Sequence, residues 1–193
     1  MAKRELPTAD YVRSILHYEP ETGELRWRER PVTHFRATGG RTAEHACAVW
    51  NARYAGAVAG TDGDGYILIG IDGRIYRAHR IAWLWMTGEW PKDQVDHKNM
   101  RRADNRWENL REASHSQNNG NRRAYSNNTS GVKGVYWHKL VKKWKAEIQV
   151  NGRTISVGYF DEDKLNEAAA AYAVAALEWF GEYARSDGVA NPQ

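Results

Sequence analysis

The chain has 193 residues, 41% hydrophobic and 27% charged, with a net charge of +4; this balance excludes collagen, coiled coil and wholesale disorder and allows one domain or two small ones. No uncharged apolar run approaches the roughly 18–20 residues of a membrane span, and the opening MAKRELPTADY lacks the apolar stretch of a secretory signal, so no membrane partner is expected. The single cysteine, Cys47, excludes an internal disulfide and a Cys-rich zinc site, which points to an intracellular, cytoplasmic protein without structural zinc, whose metal, if any, sits on oxygen or imidazole ligands.

Thr8 can cap a helix over Thr8–His17, where Tyr11, Val12, Ile15 and Leu16 recur at helical spacing. Glu19–Gly23 is turn chemistry, and Glu24–Arg28 alternates like a strand. Residues 29–53 keep no sustained period and are expected to be a long irregular loop or insertion. Tyr66–Ile71 and Arg74–Arg77 flank Asp72-Gly73, a strong hairpin signal because a type I′ turn needs positive φ at both central residues. His79–Thr87 is a short Trp-rich helix stopped by Gly88 and Pro91, and Val95–His97 is a short strand. Ser114 is the N-cap candidate of a helix carrying Asn118. Residues 119–131, NGNRRAYSNNTSG, read as a linker.

After it, Val132–His138, Trp144–Val150 and Arg153–Phe160 are strands, the last two joined by Asn151-Gly152. A final helix starts from Asp161 and runs through the Tyr172–Phe180 stretch to a stop at Gly181. Leu165, Ala168, Ala169, Tyr172, Ala176 and Trp179 form its apolar stripe. One helix covers one face of such a sheet and leaves the other for a ligand.

The charge is unevenly placed. Residues 96–125 carry seven basic and four acidic side chains, residues 126–160 six and one, and residues 161–193 two and seven. A basic middle before an acidic tail suits a polyanion, nucleic acid first, although a solvated lysine-rich sheet has the same charge.

The chemistry-bearing residues cluster after the Trp-rich helix. Asp96-His97 ends a strand, Asn109 follows His97 by twelve residues, and Asn118 follows Asn109 by nine. Singly they are bland: an Asp-His pair at a strand end, a turn asparagine and a solvated asparagine. Together, VDHKNMRRADNRWENLREASHSQNN resembles the HNH nucleases of the phage and intron homing-endonuclease branch, in the His-Asn-Asn variant. TGELRW, DGDGYILIGIDGRIYRAHRIAW and GEWP extend the resemblance over roughly residues 8–122. It implies a ββα-metal fold in which Asp96 and Asn118 hold one divalent metal, Mg²⁺ foremost with Mn²⁺ as the other option. His97 would be the general base, and Asn109 would orient His97 or brace the loop. His115, three residues before Asn118, would touch the scissile phosphate, replace Asn118 as ligand, or be an exposed helix histidine. Arg101, Arg102, Arg106, Arg111, Arg122 and Arg123 would contact the DNA backbone. His79 is expected to be structural. In place of zinc-binding Cys pairs, support is expected from packing around Trp83, Trp85, Trp90 and Trp107.

The run SGVKGVYWHKLVKKWKAEIQVNGRTISVGYFDEDKLNEAAAAYAVAALEWFG resembles the plant ethylene-response-factor (APETALA-type) DNA-binding domain through Gly134-Val135, Trp144, Ala146-Glu147-Ile148, Gly158, Phe160 and Phe180-Gly181. In that family the sheet lies in the major groove. The resemblance therefore implies DNA contacts from Lys133, Tyr136, His138, Lys145, Glu147, Gln149, Thr154 and Ser156. Lys139, Lys142, Lys143 and Arg153 would be phosphate contacts that position without specifying. Most of the family's guanine-reading arginines are missing here, so its target sequence does not transfer.

The expectation is an α+β chain: an HNH nuclease domain at 1–122, a linker at 123–131, a three-stranded antiparallel sheet on one helix at 132–183, and a tail at 184–193. The expected function is homing-type, metal-dependent hydrolysis of double-stranded DNA near a preferred site, leaving 5′-phosphate and 3′-hydroxyl ends. The chain would act as a monomer or weak dimer, in the host cytoplasm if phage-encoded. The rival is a non-catalytic DNA-binding regulator on an HNH scaffold.

Overall fold

A computed structural model describes residues 5–125 and 127–185. Among them it holds five α-helices and four small sheets, a mixed α/β structure, divided into two compact units, Met1–Glu112 and Ala113–Gln193. Beyond Arg185 the expected tail lies outside the described residues. No described helix is long and apolar enough to cross a membrane.

In the first unit, α1 is Ala9–Ile15, capped by the Thr8 hydroxyl, which accepts from the Tyr11 amide at 3.2 Å. It ends before its apolar period does. Leu16–Tyr18 instead forms β1, paired antiparallel with β2, Leu25–Trp27. The change of period costs nothing in burial, because Ile15, Leu16 and Tyr18 are all fully buried. The stretch expected to be irregular holds a 3₁₀ turn, Val32–His34, and a twelve-residue helix, α2, at Ala43–Tyr54. Only Cys47 of α2 is buried, so no apolar stripe announces it. Thr42 caps it, and Asn51 ties it to Arg30 by bonds of 2.9 Å to the amide and from its own amide to the carbonyl.

β3 (Thr61–Gly63), β4 (Tyr66–Ile71) and β5 (Arg74–Arg77) form an antiparallel sheet. Asp72 and Gly73 turn between β4 and β5 at φ of 50° and 76°, as the sequence predicts. α3, Ala78–Thr87, follows and stops at Gly88. Its buried Ile81, Ala82 and Leu84 share one core with Val12, Ile15, Ile69 and Ile71, each large aliphatic contributing about 1.5–3 kcal/mol on burial. Trp83, Trp85, Trp90 and Trp107 pack around this core. β6 (Gln94–His97) pairs with β7 (Leu110–Ala113), and Val95 and Leu110 anchor the pair in the same core.

The second unit holds α4 (His115–Asn121), the antiparallel strands β8 (Val135–His138), β9 (Lys143–Val150) and β10 (Arg153–Phe160), and α5 (Leu165–Phe180). The sheet order is β10-β9-β8, with a register shift between Ser156 and Gly158. Val135, Ala146 and Ile148 meet Ala169, Tyr172 and Ala176 of α5 in a separate core. Asn151 and Gly152 turn between β9 and β10 at φ of 50° and 78°. Gly134, at φ 70°, lies so close to Tyr172 that a Cβ would enter the ring. α5 begins at Leu165 rather than Asp161, because Asp161–Lys164 forms a turn in which the Lys164 amide donates to the Asp161 carbonyl at 2.9 Å.

Candidate functional site

Asp96 and His97 close β6 and are buried, 6% and 5% exposed. Around the His97 ring stand two aromatic neighbours from distant segments. His79, in the first turn of α3, meets it edge-on at 4.8 Å and 84°, and Tyr66, at the start of β4, lies 6.2 Å away. His79 also lies 5.4 Å from Tyr66. Burial pushes both imidazoles below their ordinary pKa, His79 to about 3 with the neighbouring His97 adding to the effect. Both rings are therefore neutral near pH 7.

His97 Nε2 lies 3.3 Å from Asn105 Oδ1. An amide oxygen accepts, so in the tautomer that makes this bond Nε2 carries the proton and Nδ1 is the basic nitrogen. Asn105 is itself fixed. It is 3% exposed, and its carbonyl accepts from the Tyr18 hydroxyl at 2.6 Å. Gly23 lies against it so closely that a Cβ would come within 2.5 Å of Asn105 backbone.

Asn109 serves the loop. Its Oδ1 accepts from the Asn99 amide at 3.0 Å, its Nδ2 donates to the Asp104 carbonyl at 2.7 Å, and its carbonyl accepts from the Lys98 amide at 2.9 Å. These bonds tie Asn109 to the 98–106 loop, and the His97 ring bonds the Asn105 side chain. Arg106 stiffens the same loop through Asp104 at 2.9 Å and Glu108 at 2.8 Å, and its guanidinium holds the Asp104 carboxyl well below the usual range. Arg101 and Arg102 are exposed. Arg102 and Arg77 lie over the Tyr66 ring, 5.0 and 4.2 Å from its centroid.

Arg111 reaches from β7 to β6. Its Nε and Nη2 both bond Asp96 Oδ2, at 3.0 and 2.9 Å, and the two side chains are 11% and 7% exposed. A buried, doubly bonded pair of this kind has already exchanged water for a partner, which distinguishes Arg111 from the exposed arginines.

Among the described residues no group of three or more His, Cys, Asp or Glu side chains gathers as a metal site. The donors expected from sequence, the Asp96 carboxylate and the Asn118 amide oxygen, are hard oxygens. Hard oxygens of this kind suit a cation that fills most of its shell with water and phosphate oxygens.

In the second unit, Ser114 caps α4 in a full capping box with Gln117, its hydroxyl accepting from the Gln117 amide at 3.2 Å and its amide donating to Gln117 Oε1 at 2.8 Å. Asn118 is half-buried on this helix and His115 exposed. On the sheet, Tyr136, His138, Lys143, Lys145, Glu147, Gln149, Thr154 and Ser156 alternate with the residues that enter the core.

On this unit, several of the expected DNA contacts already have partners. Lys133 Nζ donates to the carbonyls of Asn119 and Gly120 at 2.9 and 2.5 Å. Lys143 pairs with Asp161 at 3.0 Å and Lys145 with Glu147 at 2.7 Å, where the Tyr136 hydroxyl also donates at 3.1 Å. His138 is half-buried beside Tyr159. Arg122, Arg123, Lys139, Lys142, Gln149, Arg153, Thr154 and Ser156 are exposed.

Sequence reasoning passed over Tyr66 and Asn105 and gave His79 no neighbour. Asn105 sits in the Asp-Asn-Arg step of the loop, but its link to His97 is visible only in three dimensions.

Residues 76–120 match the model of the HNH endonuclease family, so an HNH endonuclease domain lies there. The match runs from β5 into α4 and includes His79, Asp96, His97, Asn105, Asn109 and Asn118. The chain is also similar to "Protein 3.8" of Escherichia phage T7, with 29% identity over 110 residues that cover 56% of this chain and 88% of that protein. No solved structure matches.

Proposed function

We propose that the chain is a metal-dependent DNA endonuclease of the homing type, which hydrolyses a phosphodiester bond and leaves 5′-phosphate and 3′-hydroxyl ends. The observation that carries this reading is the buried, neutral His97, held through Nε2 by Asn105 within a segment that matches the HNH family. His97 Nδ1 takes the proton of the attacking water, a role that needs a neutral imidazole. Asn105 holds the ring, and Asn109 keeps the 98–106 loop in shape. Asp96 and Asn118 are the proposed oxygen ligands of a divalent cation, Mg²⁺ foremost. When bound, that cation would supply positive charge for the phosphate and the leaving oxygen. Arg111 fixes the direction of the Asp96 carboxylate.

The division of labour follows the sequence: residues 1–122 for cleavage, 123–131 as connection, and the 132–183 sheet for duplex recognition, in the host cytoplasm of a phage. Exposed Gln149, Thr154 and Ser156 offer hydrogen bonds to base edges, and Lys139, Lys142 and Arg153 offer charge to phosphates. Incubation of the full chain with supercoiled plasmid and Mg²⁺ tests the function. Nicked or linear product that disappears with EDTA supports it. Binding without cleavage under Mg²⁺ and Mn²⁺ supports the non-catalytic regulator instead.

A further inference from the structure

The second unit contains a groove of about 370 Å³ beside the outward face of the sheet. One wall is the segment after α4, with Arg122, Arg123 and Tyr125. The other is the sheet, with Tyr136, Gln149 and Thr154.

The wall is built. Gly120 seats α4 against Phe180, where a Cβ would come within 2.8 Å of the ring, and Lys133 clamps the last turn of the helix by its two carbonyl bonds. Arg122 then leaves in extended conformation. Further along, Asn128 Oδ1 accepts from the amides of Ser130 and Gly131 at 3.0 and 2.8 Å, and its Nδ2 donates to the Val132 carbonyl at 2.8 Å. The segment the sequence presents as a linker is thus anchored at both ends of the groove.

The chemistry of the lining is consistent. Arg122 makes one long bond to Asn119 Oδ1, 3.5 Å, and lies over the Tyr125 ring at 5.4 Å. Arg123 is exposed and makes no hydrogen bond or ion pair among the described residues. Glu147 is the sole carboxylate among the lining residues, and Lys145 and the Tyr136 hydroxyl already hold it. The cationic charge of the two arginines is therefore left for a ligand. Tyr125 is 70% exposed, a large aromatic face open at the rim. Gln149, Thr154 and Asn128 add neutral donors and acceptors.

Two arginines without a carboxylate partner, a largely exposed aromatic ring and amide groups in one cavity match the three parts of a nucleotide: phosphate, planar base and base edge. The volume falls within the range of about 300–1,000 Å³ typical of small-ligand sites. A paired base in a duplex has both faces stacked and cannot offer one to Tyr125. We propose that this groove holds one unpaired nucleotide of a DNA strand, with its base on Tyr125 and its flanking phosphates on Arg122 and Arg123. The proposal rests on the reading of the second unit as a DNA-binding element.

The test is fluorescence anisotropy of the full chain, in EDTA and low salt, on a paired duplex and on the same duplex with one unpaired thymidine. The wild type is expected to prefer the unpaired form. Tyr125→Ala is expected to weaken the unpaired form by about 5- to 150-fold, the range of one lost base–aromatic stack. It leaves the paired duplex unchanged, and Tyr125→Phe keeps the wild-type preference. Arg123→Ala is expected to weaken the unpaired form as well. Equal affinity of the wild type for both duplexes, or a Tyr125→Ala effect that is absent or the same on both, overturns the proposal while leaving the DNA-binding reading standing. Failure of the wild type to bind either duplex overturns both.

Discussion

The imidazoles of His79 and His97 meet edge-on with centroids 4.8 Å apart, both buried, although 18 residues separate them in sequence. Neither ring can gain a proton cheaply there. For His79 the pKa falls from 6.5 to about 3, chiefly through burial. The unfolded chain therefore binds a proton between these values that the folded chain refuses. The stability is intact above pH 6.5 and is lost progressively as pH falls toward about 3. Urea unfolding followed by tryptophan fluorescence is expected to show about 2 kcal/mol less stability at pH 5 than at pH 7 from this residue, at 1.36 kcal/mol per pH unit. His79→Gln is expected to flatten that dependence; an unchanged pH profile in the variant contradicts the assignment.

Arg111 and Asp96 form the buried pair of the β6–β7 sheet. Arg111→Ala leaves a buried carboxylate without its guanidinium and is expected to cost about 3–5 kcal/mol. Arg101→Ala, at an exposed position, is expected to change stability by less than about 0.5 kcal/mol. Thermal unfolding of the two variants separates a structural arginine from a surface one.

Asn105 acts on the reaction through His97. Asn105→Ala removes the acceptor at Nε2, and with the ring free to turn, kcat is expected to fall by about a hundredfold with KM little changed. Asn105→Asp restores an acceptor and recovers part of the rate. A loss confined to KM, or no recovery in Asn105→Asp, contradicts the positioning role.

The lysines of the second unit divide by partner. Exposed Lys139 and Lys142 are expected each to lower the slope of log K against log salt on duplex DNA by about 0.9 when changed to alanine. Lys133 is bonded to the end of α4, and Lys133→Ala is expected to lower stability. Binding titrations over a salt series read the difference.

How much of this the sequence carries depends on the range of the interaction. Asp72-Gly73, Asn151-Gly152 and the Ser114 cap are local devices, and all three stand where the sequence puts them. α2 is invisible because its stability comes from a Thr42 cap and the Asn51–Arg30 bonds rather than from an apolar stripe. At the candidate site, Asp96, His97 and Asn109 are legible as a spaced motif. Their supports are not: His79 comes from α3, Tyr66 from β4, and Asn105 is held by Tyr18 across 87 residues. The same holds for Arg111 and Lys133, expected from sequence as DNA contacts, whose protein partners only the structure shows.

The role of His97 as base of a DNA-cleaving site is read out by His97→Ala on supercoiled plasmid with Mg²⁺, alongside DNA affinity measured in EDTA. The expected result is loss of cleavage by at least about a hundredfold, the low end for a general base, with affinity close to wild type. Cleavage at the wild-type rate in His97→Ala would show that His97 is not the base.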